Sequence, residues 1–311
     1  MLRTGLVAAV LILALVNSPA PATAEPSFGL STNNQIFSFD SATPGTISPL
    51  VPVTGLLPGT TLVGIDFRPA TPGVLVGVGQ QASGAGAVYT INTVTGTATQ
   101  INSITALNGA AYGVDFNPVP NALRIVSDAE QNLRIVGGGT GVVNSDAALN
   151  FPGNPTANPN VVGAAYSNNV AGALQTTLYD IDSVLDQLFT QGGLNIPPGT
   201  PSPNTGQLLP VGALGVNTSD LVGFDISGST GLAFASLTPP TGAGSSLYTI
   251  NLATGAATLV GAIDGGSLLV RDISVVTVPF PATLALFGAG ALVLGVVSRR
   301  GKRSGSSSPS R

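Results

Sequence analysis

One short motif returns along this chain at intervals that dictate its architecture. Gly64-Ile65-Asp66-Phe67-Arg68-Pro69 recurs as Gly113-Val114-Asp115-Phe116-Asn117-Pro118 and as Gly223-Phe224-Asp225-Ile226-Ser227. Weaker copies are Gly163-Ala164-Ala165-Tyr166-Ser167 and Val270-Arg271-Asp272-Ile273-Ser274. With the third residue as marker, the positions are 66, 115, 165, 225 and 272, in steps of 49, 50, 60 and 47 residues. A repeat of this length is one supersecondary unit that cannot bury its apolar face alone, so the units must stack on one another.

A second motif runs out of phase with the first. Val88-Tyr89-Thr90-Ile91-Asn92 returns as Leu178-Tyr179-Asp180-Ile181-Asp182 and Leu247-Tyr248-Thr249-Ile250-Asn251, with weaker forms at Ile36–Asp40 and Leu133–Val136. The clearest copies lead through Asn-x-x-Thr-Gly turns into another alternating segment, which is the signature of a hairpin. Each unit therefore reads as four strands, in the second unit near Leu62–Phe67, Val74–Gly79, Ala87–Asn92 and Thr97–Ile101. Four short strands every 45–50 residues or so is the period of a β-propeller blade. The expectation is an all-β propeller of five four-stranded blades. The last Asp motif has no hairpin after it and the first hairpin no Asp motif before it, so the chain ends are expected to complete one blade together. An open β-solenoid or a pair of sandwiches is the alternative, which shorter repeats would favour.

The 60-residue step contains Gly192–Gly206 (GGLNIPPGTPSPNTG), expected to be a long loop too polar to pack. Asn150–Asn160 is a second loop candidate.

Both ends of the chain read as something other than the repeat. Arg3, the apolar run Leu6–Val16 and the small-x-small exit Ala22-Thr23-Ala24 have the order of a cleavable secretory signal over residues 1–24. At the other end Ala282–Val297 is uncharged and is followed by Arg299, Arg300, Lys302 and Arg303. Sixteen helical residues reach roughly 24 Å, enough to span a thinned bilayer, with the basic cluster on the cytoplasmic side. The expected organisation is a signal at 1–24, a repeat domain at 25–277, a membrane segment at 278–303 and a Ser-rich tail at 304–311.

Composition narrows the chemistry. There is no His, Cys or Trp, which excludes thiol catalysis, disulfides, most zinc and haem sites and any Ser-His-Asp triad. Residues 25–277 hold four arginines, no lysine and all fourteen acids, a net charge of 4 − 14 = −10. Nucleic acid is not an expected partner of such a domain.

Two resemblances follow from these residues. Val278, Pro279 and Pro281, then the apolar stretch, then Arg299 and Arg300, resemble the PEP-CTERM sorting signal of Gram-negative bacteria, with Phe280 where that family usually has Glu. The resemblance implies an exosortase-type enzyme as partner after the secretion machinery, and a fate at the cell surface or outside, commonly alongside exopolysaccharide. The stretch Gly113–Pro118, the following Leu123–Asp128 and Gln131–Arg134, and the Leu-Tyr-Thr-Ile-Asn hairpins resemble a family of secreted bacterial proteins classed as a domain of unknown function. That resemblance carries no catalytic residues with it.

Candidate sites are few. Asp66, Asp115, Asp225 and Asp272 follow the repeat and are expected to accept hydrogen bonds from neighbouring turns, although inward carboxylates also serve five-bladed glycosidases. Arg124, Asp128 and Arg134 are a weak candidate for binding a carboxylate or sugar. Asp180, Asp182 and Asp186 could gather around one Ca²⁺, whose preference is for hard oxygen ligands. No phosphate loop, dinucleotide fingerprint or nucleophile elbow is present. The leading expectation is a non-enzymatic surface or matrix propeller that contacts protein or polysaccharide through its loops. The alternatives are a secreted Asp-dependent carbohydrate- or lactone-type hydrolase, with or without Ca²⁺, and a periplasmic sensor or assembly factor.

Overall fold

Alternating apolar residues between glycine- and asparagine-rich turns fold into short antiparallel strands, and these strands assemble in fours. The computed structural model describes residues 24–276 apart from Pro155 and Pro198. The expected signal cleavage at Ala22 and Ala24 falls at the edge of this range. The sorting motif and apolar segment at 278–303 lie outside the described residues. Among the described residues no helix is long and apolar enough to cross a membrane.

The described residues begin with β1 (Pro26–Ser31), β2 (Gln35–Asp40) and β3 (Val51–Pro52). The second blade is β4 (Thr60–Phe67), β5 (Leu75–Gln81), β6 (Gly86–Ile91) and β7 (Ala98–Ile104). The third is β8 (Tyr112–Asn117), β9 (Ala122–Ser127), β10 (Asn132–Ile135) and β11 (Val143–Ser145). The fourth is β12 (Val161–Tyr166), β13 (Thr176–Asp182), β14 (Gln187–Ile196) and β15 (Leu208–Ala213). The fifth is β16 (Val222–Ile226), β17 (Ala233–Leu237), β18 (Ser246–Ile250) and β19 (Ala257–Ala262). Last comes β20 (Val270–Val275), which pairs antiparallel with β1 and becomes the inner strand of the first blade. The expected five blades and the joining of the two chain ends are both present.

The core is divided among the blade interfaces. Five apolar clusters fill five gaps: Phe28 and Leu30 against Leu62 and Phe67, Val78 and Val88 against Val114 and Phe116, Val126 against Tyr166 and Phe189, Ile181 and Leu188 against Phe224, and Phe234 and Leu247 against Phe37 and Ile273. The inner strands β8, β12 and β16 are buried along their whole length.

The repeated glycine explains itself by proximity. A Cβ at Gly113 would stand 2.5 Å from the Ala164 nitrogen, and one at Gly223 2.5 Å from the Ile273 nitrogen. Only glycine lets the neighbouring inner strand come this close, and that approach brings the Asp two residues on within reach of the neighbour's amides.

The segment Gly192–Gly206 departs from expectation. It folds back on the blade instead of standing free: the Gly193 amide donates to the Pro201 carbonyl, Pro203 is buried, and Asn204 meets Arg124. Its polar atoms pack because partners are supplied, with the Pro203 carbonyl accepting from Gln191 and Asn132.

Candidate functional site: the propeller axis

The five inner strands run in one sense around the axis, so residues at equivalent positions form layers along it. At the strand starts is a mouth; deeper down is a layer of carboxylates.

A cavity of about 300 Å³ occupies the mouth, lined by Val63, Tyr112, Asp220, Leu221 and Arg271, with Ala110, Ala111 and Ser219 between them. The Tyr112 hydroxyl is tied to Gln80 and to the Gly109 carbonyl, and Asp220 accepts from Ser183 and Asn160. Arg271 is different. Its Nε is buried with no hydrogen-bond partner, and burial pulls its pKa below the ordinary guanidinium value, with the adjacent Asp272 opposing. The other three arginines of the described residues are all engaged: Arg68 with Asn121, Arg124 with Asp146, Asn132, Asn204 and Tyr166, and Arg134 with Asp146.

Beneath the mouth lie Asp66, Asp115, Asp225 and Asp272, between 1% and 4% exposed. The sequence suggested that turns would hold them. The acceptors instead face backbone amides of inner strands, mostly the neighbour's: Ile65 donates to Asp272 at 2.8 Å, Phe116 to Asp66 at 2.9 Å and Val275 to Asp225 at 2.6 Å. The Ser274 hydroxyl reaches Asp66 at 2.8 Å and Asp225 at 3.2 Å, and takes the Phe67 amide at 3.0 Å. Asp115 is the exception. The Tyr166 amide approaches its carboxylate without completing a hydrogen bond, and both oxygens are left without a partner. Desolvation, then the charges of Asp66 and Asp225, push Asp115 well above the usual carboxylate range. Burial raises Asp66 and Asp272 in the same direction, whereas Asp225, better supplied with donors, rises to about 7. Asp66, Asp115 and Asp225 can each bring an oxygen within 4.8 Å of the other two.

The remaining candidates are dispersed. Arg124, 1% exposed, spends its guanidinium on the interface of the third and fourth blades, and Arg134 shares Asp146 with it at 3.0 Å. Arg134 and Asn204 line a separate cavity of about 330 Å³. Asp128 caps the Ala110 amide, away from both arginines' partners. Asp180, Asp182 and Asp186 do not come together. Asp182 accepts the Val184 and Leu185 amides, as Asn92 accepts those of Val94 and Thr95 in the second blade. Asp186 takes the positive φ that Gly96 supplies there and accepts from Thr218. These two are hairpin residues, while Asp180 points into the blade interface near Arg124. Arg271 was not singled out from the sequence; the signal available was that it breaks the repeat, standing where the other copies have Ile, Val, Ala or Phe.

Residues 35–274 match the family described as "Domain of unknown function (DUF4394)", and the chain belongs to it. No curated protein matches the sequence. Solved structures similar to it include the hydrazine synthase of Kuenenia stuttgartiensis, at 12% identity and a TM-score of 0.40 over 67% of this chain. The chain spans about half of that protein, 51% of its length. The WD40 domain of Toxoplasma gondii coronin is 11% identical with a TM-score of 0.40, over 81% of this chain and 74% of that one. The GH74 enzyme of Niastella koreensis is 13% identical with a TM-score of 0.41, over 78% of this chain and 38% of that one.

Proposed function

We propose that this five-bladed member of the family is an exported, non-enzymatic binding protein of the cell surface or extracellular matrix, which takes a single carboxylate group at its axial mouth. The observation that carries the reading is Arg271: a half-buried guanidinium without hydrogen bond or ion pair, opening into a cavity of about 300 Å³. A guanidinium so placed fits a carboxylate in geometry and charge. The net charge of −10 on the surrounding domain disfavours a polyanion laid across its surface, which points to one acidic sugar residue entering the mouth.

The hydrolase reading has less support. Glycosidase carboxylates stand about 5–9.5 Å apart across an accessible bond. Asp66, Asp115 and Asp225 are closer together than that, buried, and do not line the mouth cavity.

Calorimetric titration with glucuronate and with glucose tests the binding role. Wild-type protein is expected to bind glucuronate and not glucose, and Arg271→Gln to lose at least tenfold in affinity while keeping its melting temperature. Equal affinity in wild type and variant sinks the assignment to Arg271.

Export and sorting rest on the sequence of the two ends. An exosortase-type enzyme acting at Val278-Pro279-Phe280-Pro281 predicts a mature species that begins at Glu25 and ends near Pro281, read by intact mass in the medium and membrane fractions. Phe280→Glu is expected to raise its yield. A species that keeps Arg299 and Arg300 in the membrane points to a plain anchor instead.

A further inference from the structure

We infer that Asp66, Asp115 and Asp225 form a cation site on the propeller axis, built for one Ca²⁺. Each can place an oxygen within 4.8 Å of the other two. Three oxygens set evenly round one Ca²⁺ at roughly 2.3–2.6 Å stand up to about 4.5 Å apart, so a spread of no more than 4.8 Å is within a few tenths of an ångström of what one ion needs. Mg²⁺, with bonds of about 2.0–2.1 Å and a near-ideal octahedral shell, holds its oxygens closer together and tolerates less spread. No nitrogen or sulfur donor stands among them, which selects a hard cation.

An acidic cluster is not by itself a site; here the unpartnered atoms ask for a ligand. Asp115 is 1% exposed and neither of its oxygens has a donor. The charged groups that face it are Asp66, Asp225 and Asp272, all of its own sign. An ionised carboxylate in that position costs several kcal/mol unless a proton or a cation offsets its charge. Asn169 gives a second, separate indication: its side chain lies beside Asp225, and its own Oδ1 is buried with no donor.

The other two carboxylates are already fixed in place. Asp66 accepts from the Phe116 amide and from Ser274, which has only one hydroxyl proton to give and stands closer to Asp66 than to Asp225. Asp225 accepts from the Ile226 and Val275 amides, both at 2.6 Å. A carboxylate offers about four acceptor directions, so each keeps room for an ion while its position is held by strands of different blades. The ion would join the second, third and fifth blades at the centre, and it is independent of the reading of Arg271.

The test uses the full chain in mild detergent, stripped with EDTA and titrated with CaCl₂ or MgCl₂, with heat and melting temperature as readouts. The expected result is one Ca²⁺ per chain and a saturable rise in melting temperature, with a weaker response to Mg²⁺. Asp115→Asn and Asp66→Asn are each expected to lower Ca²⁺ affinity at least tenfold with unchanged β-sheet circular dichroism, and Arg271→Gln to keep the wild-type stoichiometry. Failure of the wild type to take up Ca²⁺ overturns the site, and so does uptake that survives both substitutions. Should neither variant fold, the wild-type stoichiometry decides alone: one ion per chain upholds the site and none overturns it.

Discussion

Both carboxylate oxygens of Asp180 lie buried without a donor, and only the charge of Arg124 opposes the desolvation. Burial therefore holds its folded pKa well above the value of about 3.9 expected in the unfolded chain. The folded state keeps a proton that the unfolded state releases, so this group's contribution to stability is greatest below about pH 4 and declines as pH rises toward the folded value. Asp180→Asn removes the titration. The variant is expected to be more stable than wild type at pH 7.5 and equal to it near pH 4, as measured by urea unfolding at both. The same stability difference at both values would show that Asp180 is ionised in the fold. At this scale the sequence was informative about position and silent about partner. The recurrence of Asp66, Asp115, Asp225 and Asp272 marked them as equivalent, but the amides that hold Asp66, Asp225 and Asp272 belong to residues about 50, and in one case about 200, positions away.

Strands and hairpins were the most legible elements, because period-two alternation and the Asn-x-x-Thr-Gly turn are local signals. In the second blade the expected strands fall within three residues of β4 to β7 at every end. The turn chemistry is equally local: Asn92 accepts the Val94 and Thr95 amides, and Gly96 turns the chain at φ 71°. The same logic misled at Asp182 and Asp186, where carboxylates spaced like ligands are the fourth blade's version of that turn. It misled again at Gly192–Gly206. Composition suggested a free loop, but the interface of the third and fourth blades contains a buried Arg124 that needs acceptors, and Asn204 supplies one at 2.7 Å. Nothing near Asn204 in sequence announces a partner 80 residues upstream.

Closure is the property of the whole molecule. Each blade shares an apolar cluster with two neighbours, and the ring is completed where β20 pairs with β1. Sequence arithmetic revealed this closure because the two half-motifs at the ends are complementary. The clasp beside it was not visible: Glu25 is 4% exposed, and its carboxylate accepts from Ser227 and Ser229 of the fifth blade. A hydrogen bond to a charged group contributes roughly 1.5–3 kcal/mol, and of the two donors to the Glu25 carboxylate it is Ser227 that is buried. Glu25→Ala is expected to destabilise the domain by about that amount, with the loss seen chiefly as faster unfolding. Leu174→Ala, at a position 87% exposed, should change stability by less than about 0.5 kcal/mol in the same chevron measurement.

The course of β20 also sets which way the molecule looks. The strand enters beside the mouth at Arg271 and ends at Val275, after which the Val276 amide bonds to the Pro26 carbonyl at the far end of the axis. The last described residue, Val276, therefore lies at the face opposite the mouth, beside the centre and not at the rim. Held at Val276, the propeller would present Arg271 on its opposite face. A pull at Val276 runs along β20 and loads its ladder with β1 in shear, where all the rungs resist together and none can be peeled away singly.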